Sequence, residues 1–114
     1  MAFTEGKHTA EFLMSEGEGS ISREQVTLAA AAGALAAGTV LGKITASGKY
    51  VAYSNSATDG TEVAAGVLYA AAPDLATDQP ATAIVRYAEV ASTALTGNDS
   101  AGTADLKALG IIVR

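Results

Sequence analysis

Histidine and glycine-rich turns are the features of this sequence that come closest to known chemical motifs. His8 is the single histidine, and the chain has no cysteine. A nucleophile and its base must lie within hydrogen-bond reach, but no serine or acid is spaced to meet His8, and one histidine without cysteine does not make a structural zinc site. Residues 38–43 place a lysine after a second glycine, but Ile44 stands where a phosphate-binding loop needs a hydroxyl. We therefore predict no catalytic, cofactor-binding or metal site.

Acidic residues form two close pairs, Glu16 with Glu18 and Asp74 with Asp78. Two carboxylates at this spacing could bind a cation or divide the roles of acid and base. Both pairs lie in polar, turn-rich stretches, where such charges usually do no more than solvate a loop. We interpret both pairs in this way.

Glu89 is the acid least easily assigned to solvent, because it follows Tyr87 in a strand-like stretch. Arg86 is close in sequence. It could pair with Glu89 or with a neighbouring chain, so we expect a structural ion pair here rather than catalysis.

The composition predicts one small domain whose stability depends on association. The chain has 114 residues, of which 49% are hydrophobic but only 5% aromatic, so there is room for one core, built from Val, Ile and Leu with Ala and Gly closing the gaps. So small a domain buries a limited share of its surface, and a chain without cysteine forms no disulfide. Oligomerisation is the usual remaining source of stability, so we expect a homo-oligomer.

The charge pattern excludes several classes of partner. A formal net charge of −5 with scattered basic residues disfavours direct binding to nucleic acid, which requires clustered lysine and arginine. The first residues carry charges where a signal peptide needs an apolar core. The longest apolar stretch, residues 28–37, is shorter than the roughly 20 residues of a membrane span. We therefore expect no nucleic acid and no membrane among the partners.

The leading segment differs from the rest of the chain. It carries charge, glycine and isolated large apolar side chains without a sustained apolar period, and its Gly/Ser-rich part is typical of a flexible hinge. We predict a flexible arm over residues 1–24 and a β-rich body over residues 25–114. The apolar triplet Phe12, Leu13 and Met14 either packs back on the body or docks into a partner. An extended arm of this kind could add a strand to an open sheet edge of another protein.

Short apolar segments separated by turn signals predict six or seven strands in the body. Ser47-Gly48 closes a hairpin, and Asp59-Gly60 marks a second tight turn. Residues 29–37 are expected to form a short strand end followed by a turn-rich connection. The predicted strands cover residues 25–28, 39–45, 49–53, 66–70, 81–86, 87–90 and 110–114.

One helix is predicted before the last strand, over residues 103–110, with Thr103 as its N-cap and Gly110 just past its last turn. The strands are otherwise joined by loops. This arrangement favours a mainly β fold, a small barrel-like domain of short, mostly antiparallel strands with one short helix near the C-terminus.

Several blocks occur in an order that covers nearly the whole chain. They are AGTVLG at 37–42, TDGTEVAAGVL at 58–68, RYAEV at 86–90, LKALGIIV at 106–113 and the leading GKHTAEFL at 6–13. This ordered set resembles the lambda-type bacteriophage head decoration proteins, the capsid-stabilising protein D family. The chain departs from the pattern at residues 91–103, which are shorter than the Trp-containing loop of some members, so loop contacts of relatives are not transferred to it.

The resemblance implies a β-clip type fold and a structural role without catalysis or cofactor. It implies a homotrimer that binds the outer surface of an expanded icosahedral phage head at three-fold positions and stabilises the shell against packaged DNA, after synthesis in the host bacterial cytoplasm. The partner would be the major capsid protein, one of whose sheets the arm would extend on becoming ordered. The candidate capsid-binding residues of the arm are Phe12, Leu13, Met14 and Ile21.

Two other classes of protein remain open at this point. Another phage structural subunit, from a tail or a surface lattice, would also be β-rich, rich in Ala and Gly and free of Cys. A small trimeric β-fold enzyme, such as a nucleotide hydrolase, would need Asp, Arg and Ser ordered at subunit junctions, and no such motif is found in the sequence.

Overall fold

The computed structural model describes residues 9–17 and 21–114. Within these residues the chain forms eight strands, one α-helix and one 3-10 helix, Ser92–Ala94. In chain order the main elements are β1 Leu13–Glu16, β2 Arg23–Leu28, β3 Val40–Lys43, β4 Tyr50–Ala52, β5 Ala64–Leu68, β6 Gln79–Ile84, β7 Ala88–Val90, α1 Ser100–Ala108 and β8 Ile111–Val113. The predicted mainly β fold with a short helix near the C-terminus is confirmed.

Five of the strands close into a barrel in the order β2-β4-β3-β5-β6. Strand β2 runs antiparallel to β6, from Arg23 opposite Ile84 to Leu28 opposite Gln79. The barrel closes through a parallel bridge between Leu28 and Tyr50, and its remaining strand pairs are antiparallel. The predicted barrel of mostly antiparallel strands is therefore confirmed. Closure removes free strand edges from this part of the molecule.

A second, three-stranded sheet has the order β1-β7-β8. Strand β1 runs antiparallel to β7 with an irregularity after Leu13, and β8 runs parallel to β7. Helix α1 contacts both β8 and β5, so it connects this sheet to the barrel. In the part of the chain that the structure describes, β1 and β8 each pair with a strand on one side, which leaves each an open edge.

Neighbouring residues on the barrel strands point into two different hydrophobic clusters, because side chains alternate between the two faces of a strand. Leu41, Leu68 and Ala83 belong to one cluster, which we call the barrel core, and their neighbours Val40, Val67 and Ile84 belong to the other, which we call the sheet core. Burial on both faces explains why adjacent residues at these positions of β3, β5 and β6 are all apolar.

Residues 9–17, which fall within the predicted arm, lie against the body. The Phe12 side chain is 1% exposed and belongs to the sheet core. Its carbonyl accepts a 2.7 Å hydrogen bond from the Ala91 amide. The predicted boundary after residue 24 falls inside β2, which begins at Arg23. The packed body of the described structure therefore includes Phe12 and β1.

Two turn predictions are confirmed by the backbone. Strands β3 and β4 pair antiparallel as the predicted hairpin. At the second turn Gly60 has φ +108, in the region that L side chains rarely adopt. The Asp59 carboxylate stabilises this turn by accepting hydrogen bonds from the Thr61 amide at 3.1 Å and the Thr61 hydroxyl at 2.6 Å.

The helix begins earlier than the sequence predicts. Asp99 is the N-cap of α1, and its carboxylate accepts a 2.7 Å hydrogen bond from the Gly102 amide. The prediction of Thr103 as N-cap is wrong, because Asp99 is at least as good a capping residue and also accepts a 2.8 Å hydrogen bond from the Tyr53 hydroxyl. Burial, with Asp99 as a second cause, raises the pKa of Tyr53 to about 12. The helix ends as predicted, with Gly110 just beyond it.

Replacing Asp99 with asparagine is expected to reduce the acid sensitivity of the fold while keeping the helix cap. The Gly102 amide, followed by the Tyr53 hydroxyl, lowers the pKa of Asp99. A carboxylate whose pKa is lower in the folded state stabilises the fold at pH values above its unfolded-state pKa of about 3.9. This stabilisation is lost as the pH falls through the folded-state pKa. Asparagine also caps helices but does not titrate.

Thermal unfolding followed by circular dichroism measures this effect. The unfolding midpoint of the parent chain should fall toward that of the Asp99→Asn variant as the pH is lowered below about 4. A difference between the two midpoints that stays constant from neutral to acid pH would contradict the assignment.

Candidate functional site

The acids singled out in the sequence make structural contacts in the described parts of the chain. The Glu16 carboxylate accepts hydrogen bonds from Arg23 Nε at 3.1 Å and Nη2 at 2.6 Å, and this contact raises the pKa of Arg23. His8 and Glu18 lie outside the described residues. Within residues 9–17 and 21–114, no three His, Cys, Asp or Glu side chains are grouped so as to hold a metal ion. None of the helices in these residues has the length and hydrophobicity that a membrane span requires.

The second acidic pair braces the connection between β2 and β3. The Asp78 carboxylate pairs with Lys49 Nζ at 2.6 Å and accepts a 2.9 Å hydrogen bond from the Ala30 amide. Lys49 and the Ala30 amide together lower the pKa of Asp78. Asp74 accepts a 3.2 Å hydrogen bond from the Gly33 amide. Both carboxylates therefore accept hydrogen bonds from backbone amides of a turn-rich connection, and their role is structural.

Glu89 forms an ion pair, but not with the neighbour in sequence. Its carboxylate lies 3.2 Å from Arg114 Nε, because β8 runs beside β7 and brings the C-terminal residue to it. Arg86 pairs instead with Glu24 at 3.3 Å. The pair of Glu89 with Arg86, one of the two alternatives considered, is not formed, because the chain turns between them at Tyr87, whose φ is +50.

The four residues predicted to contact a capsid divide into two kinds. Phe12 is buried and Leu13 is half-buried against the sheet core. Met14 and Ile21 are 55% and 51% exposed. Met14 lies at the irregularity of β1 that follows Leu13, and its side chain points into solvent. Two of the four side chains are therefore accessible to another protein.

Polar contacts hold the exposed pair in place. The buried Ser22 hydroxyl accepts a 2.8 Å hydrogen bond from the Gly17 amide and donates one of 2.8 Å to the Tyr87 carbonyl. The Arg23 guanidinium, already bonded to the end of β1, stacks over the Tyr69 ring at 4.4 Å from its centre, an attractive cation–π geometry. These contacts tie β1 to the start of β2, so that Met14 and Ile21 project from a fixed frame.

A comparison with protein-family models supplies the deciding observation. The model of the bacteriophage lambda head decoration protein D matches residues 2–111, nearly the whole chain.

The chain belongs to the head decoration protein family.

The resemblance drawn from the sequence blocks is thereby confirmed. The family is one of structural phage capsid components and not an enzyme family, so the role of this head decoration protein is capsid decoration. A search of curated proteins finds no significant match.

Among the described strands, β1 and β8 each have an open edge that a partner strand could pair with, and β1 is the one that lies within the predicted arm. An exposed edge carries backbone groups that an added strand can pair with. Met14 lies on this edge strand with its side chain in solvent. Backbone pairing and an apolar anchor are thus available side by side, whereas the barrel offers no free edge.

Three residues that frame this surface are not evident from the sequence. Ser22 and Arg23 act through partners that only the fold brings near, although a Glu and an Arg seven residues apart are a weak signal for their pairing. Tyr87 gives no signal at all, because nothing in its neighbourhood predicts a left-handed backbone at a bulky residue.

Proposed function

We propose that this head decoration protein binds as a homotrimer to the exterior of an expanded icosahedral phage head, at its three-fold positions, and stabilises the shell against the pressure of packaged DNA. Membership of the head decoration family carries the proposal. Its partner is the major capsid protein, and its location is the outer surface of the virion.

The N-terminal region, residues 1–24, supplies the contact in this proposal. Among the residues of this region that the structure describes, Met14 and Ile21 are exposed apolar side chains, and β1 has an open edge. Phe12 anchors the region in the sheet core rather than in the capsid. A subunit that stabilises the shell needs a firm attachment between its contact region and the rest of its fold. A buried aromatic side chain directly beside strand β1 suits that role.

Three copies acting together account for firm binding by a small contact. Linked contacts bind with an effective concentration that raises avidity well above the affinity of one site. A protein that binds only the expanded shell stabilises that state by its own binding free energy. On this hypothesis the acceptor edge is absent or misplaced on the unexpanded shell, which makes decoration follow maturation.

Co-sedimentation with purified empty heads tests the proposal. The protein should pellet with expanded heads and stay in the supernatant with unexpanded ones. Met14→Asp and Ile21→Asp should each weaken binding to expanded heads at least about tenfold, because a carboxylate replaces an apolar anchor at a contact that each of the three subunits makes.

Leu75→Asp is the matched control, because Leu75 is also exposed, at 40%, and gains the same charge. It should bind as the parent chain does. Equal binding to both kinds of head would count against specificity for the mature shell, and assembly into tubes or lattices without a shell would favour a tail or surface-layer subunit. Deletion of residues 1–24 is a poor test, because it also removes Phe12 and β1.

A further inference from the structure

One face of the molecule carries exposed apolar side chains next to grooves that apolar side chains also line. Val63 is 53% exposed and Tyr87 59% exposed. Both line a groove of about 490 Å³, together with Val85 and Leu109. Val63 and Ala65 also line a second groove of about 490 Å³. The face therefore carries projections and recesses together.

Tyr87 is held outward by the backbone around it. Its φ of +50 is costly for a bulky residue. Its carbonyl accepts hydrogen bonds from the Gly17 amide at 3.0 Å and the Ser22 hydroxyl at 2.8 Å. Its ring passes so close to Gly110 that a Cβ there would lie 3.0 Å from the ring. The backbone that carries the ring is thus held in place before any partner arrives, which lowers the entropy that binding must lose.

The charged side chains that line the two grooves are balanced in sign, although the chain as a whole carries −5. Glu24 and Arg86 line the first groove and pair with each other at 3.3 Å. Lys43 and Glu62 line the second. Identical acidic chains repel one another, so they approach at least cost through a neutral face. A surface that binds a partner of opposite charge would instead carry a net charge of its own.

From these observations we infer that the face around Val63 and Tyr87 is where copies of this chain meet, with the projecting side chains of one copy seated in a groove of the next. The inference rests on the proposed homotrimer and assigns its contact surface. Exposed, rigid aromatic side chains of this kind are the residues that carry most of the free energy of an interface.

Sedimentation velocity over a range of protein concentrations tests the inference. Tyr87→Asn removes the ring but keeps a residue that tolerates a left-handed backbone, so the folded chain should be at least as stable as the parent in its monomeric form. Val63→Asp places a charge between the two grooves. Each variant should dissociate at concentrations at least about 30-fold higher than the parent, the size expected for loss of an interface hot spot.

Leu75→Asp, which adds the same charge away from both grooves, should associate as the parent does. Parent-like association of Tyr87→Asn and Val63→Asp, with or without loss of head binding, would overturn the inference. A parent chain that stays monomeric at every concentration would overturn it too. Co-sedimentation with expanded heads, measured on the same samples, tests the decoration function separately. That function is contradicted only if the parent chain does not bind the heads.

Discussion

Replacing Phe12 with alanine is expected to lower the free energy of unfolding by about 3–5 kcal/mol, the cost of truncating a buried aromatic side chain to alanine. Phe12 is 1% exposed and shares the sheet core with Val40, Leu106 and Ile111. The truncation leaves a cavity between elements far apart in sequence, which cannot collapse without moving the barrel or the helix. A loss of this size is a large part of the total stability of a domain this small.

Denaturant unfolding of Phe12→Ala and Met14→Ala, measured side by side, separates burial from contact with a partner. Met14 lies on strand β1, just after Phe12 in the chain, and is 55% exposed. Its truncation should therefore change the free energy of unfolding by no more than about 0.5 kcal/mol. If both variants unfolded like the parent chain, Phe12 would not be packed in solution, and a direct role for it in capsid contact would regain support.

Replacing Gly60 with alanine is expected to cost about 2–5 kcal/mol, from two sources that add. The first is the left-handed backbone, φ +108, which costs a residue with a Cβ about 1–2 kcal/mol. The second is overpacking, since the new Cβ would lie against the Thr45 hydroxyl and 2.7 Å from the Lys43 carbonyl oxygen. Overpacking of a tight site typically costs about 1–3 kcal/mol.

Gly33→Ala isolates the first of these sources. Gly33 also has a left-handed backbone, φ +87, but a Cβ there would meet nothing within 4 Å. Its replacement should cost only about 1–2 kcal/mol. The difference between the two variants, measured by denaturant unfolding, reports the close approach of the Gly60 turn to the end of β3 and to Thr45 just beyond it. Equal losses would show that this approach is looser than the structure has it.

Local chemistry made the strand pattern and the turns predictable. Alternating or continuous apolar runs, bounded by Gly and Asp-Gly, correspond to strands β2 to β8 in the structure, because the side chains that favour a strand and those that favour a turn act over a few residues. The helix was misplaced at its start for the same reason. Two capping residues compete within four positions, and the choice of Asp99 depends on Tyr53, which is 46 residues away.

The leading segment shows where local information ends. Residues before β2 have no apolar period, so the sequence predicts an arm. Phe12 is buried because the sheet core, assembled from barrel strands together with β7, β8 and α1, leaves a space that one aromatic side chain fills. That space does not exist until distant parts of the chain have met, and no pattern within the segment reports it.

Composition, charge and the ordered blocks were sufficient to determine the class of this protein, a small acidic mainly β domain of the head decoration family with no recognisable chemical motif. The tertiary structure alone decided which of the predicted contact residues face solvent, which acid meets which base, and that Tyr87 and Val63 stand together on one face. Apolar period and turn type are set by neighbours along the chain, whereas burial and ion pairing are set by neighbours in space.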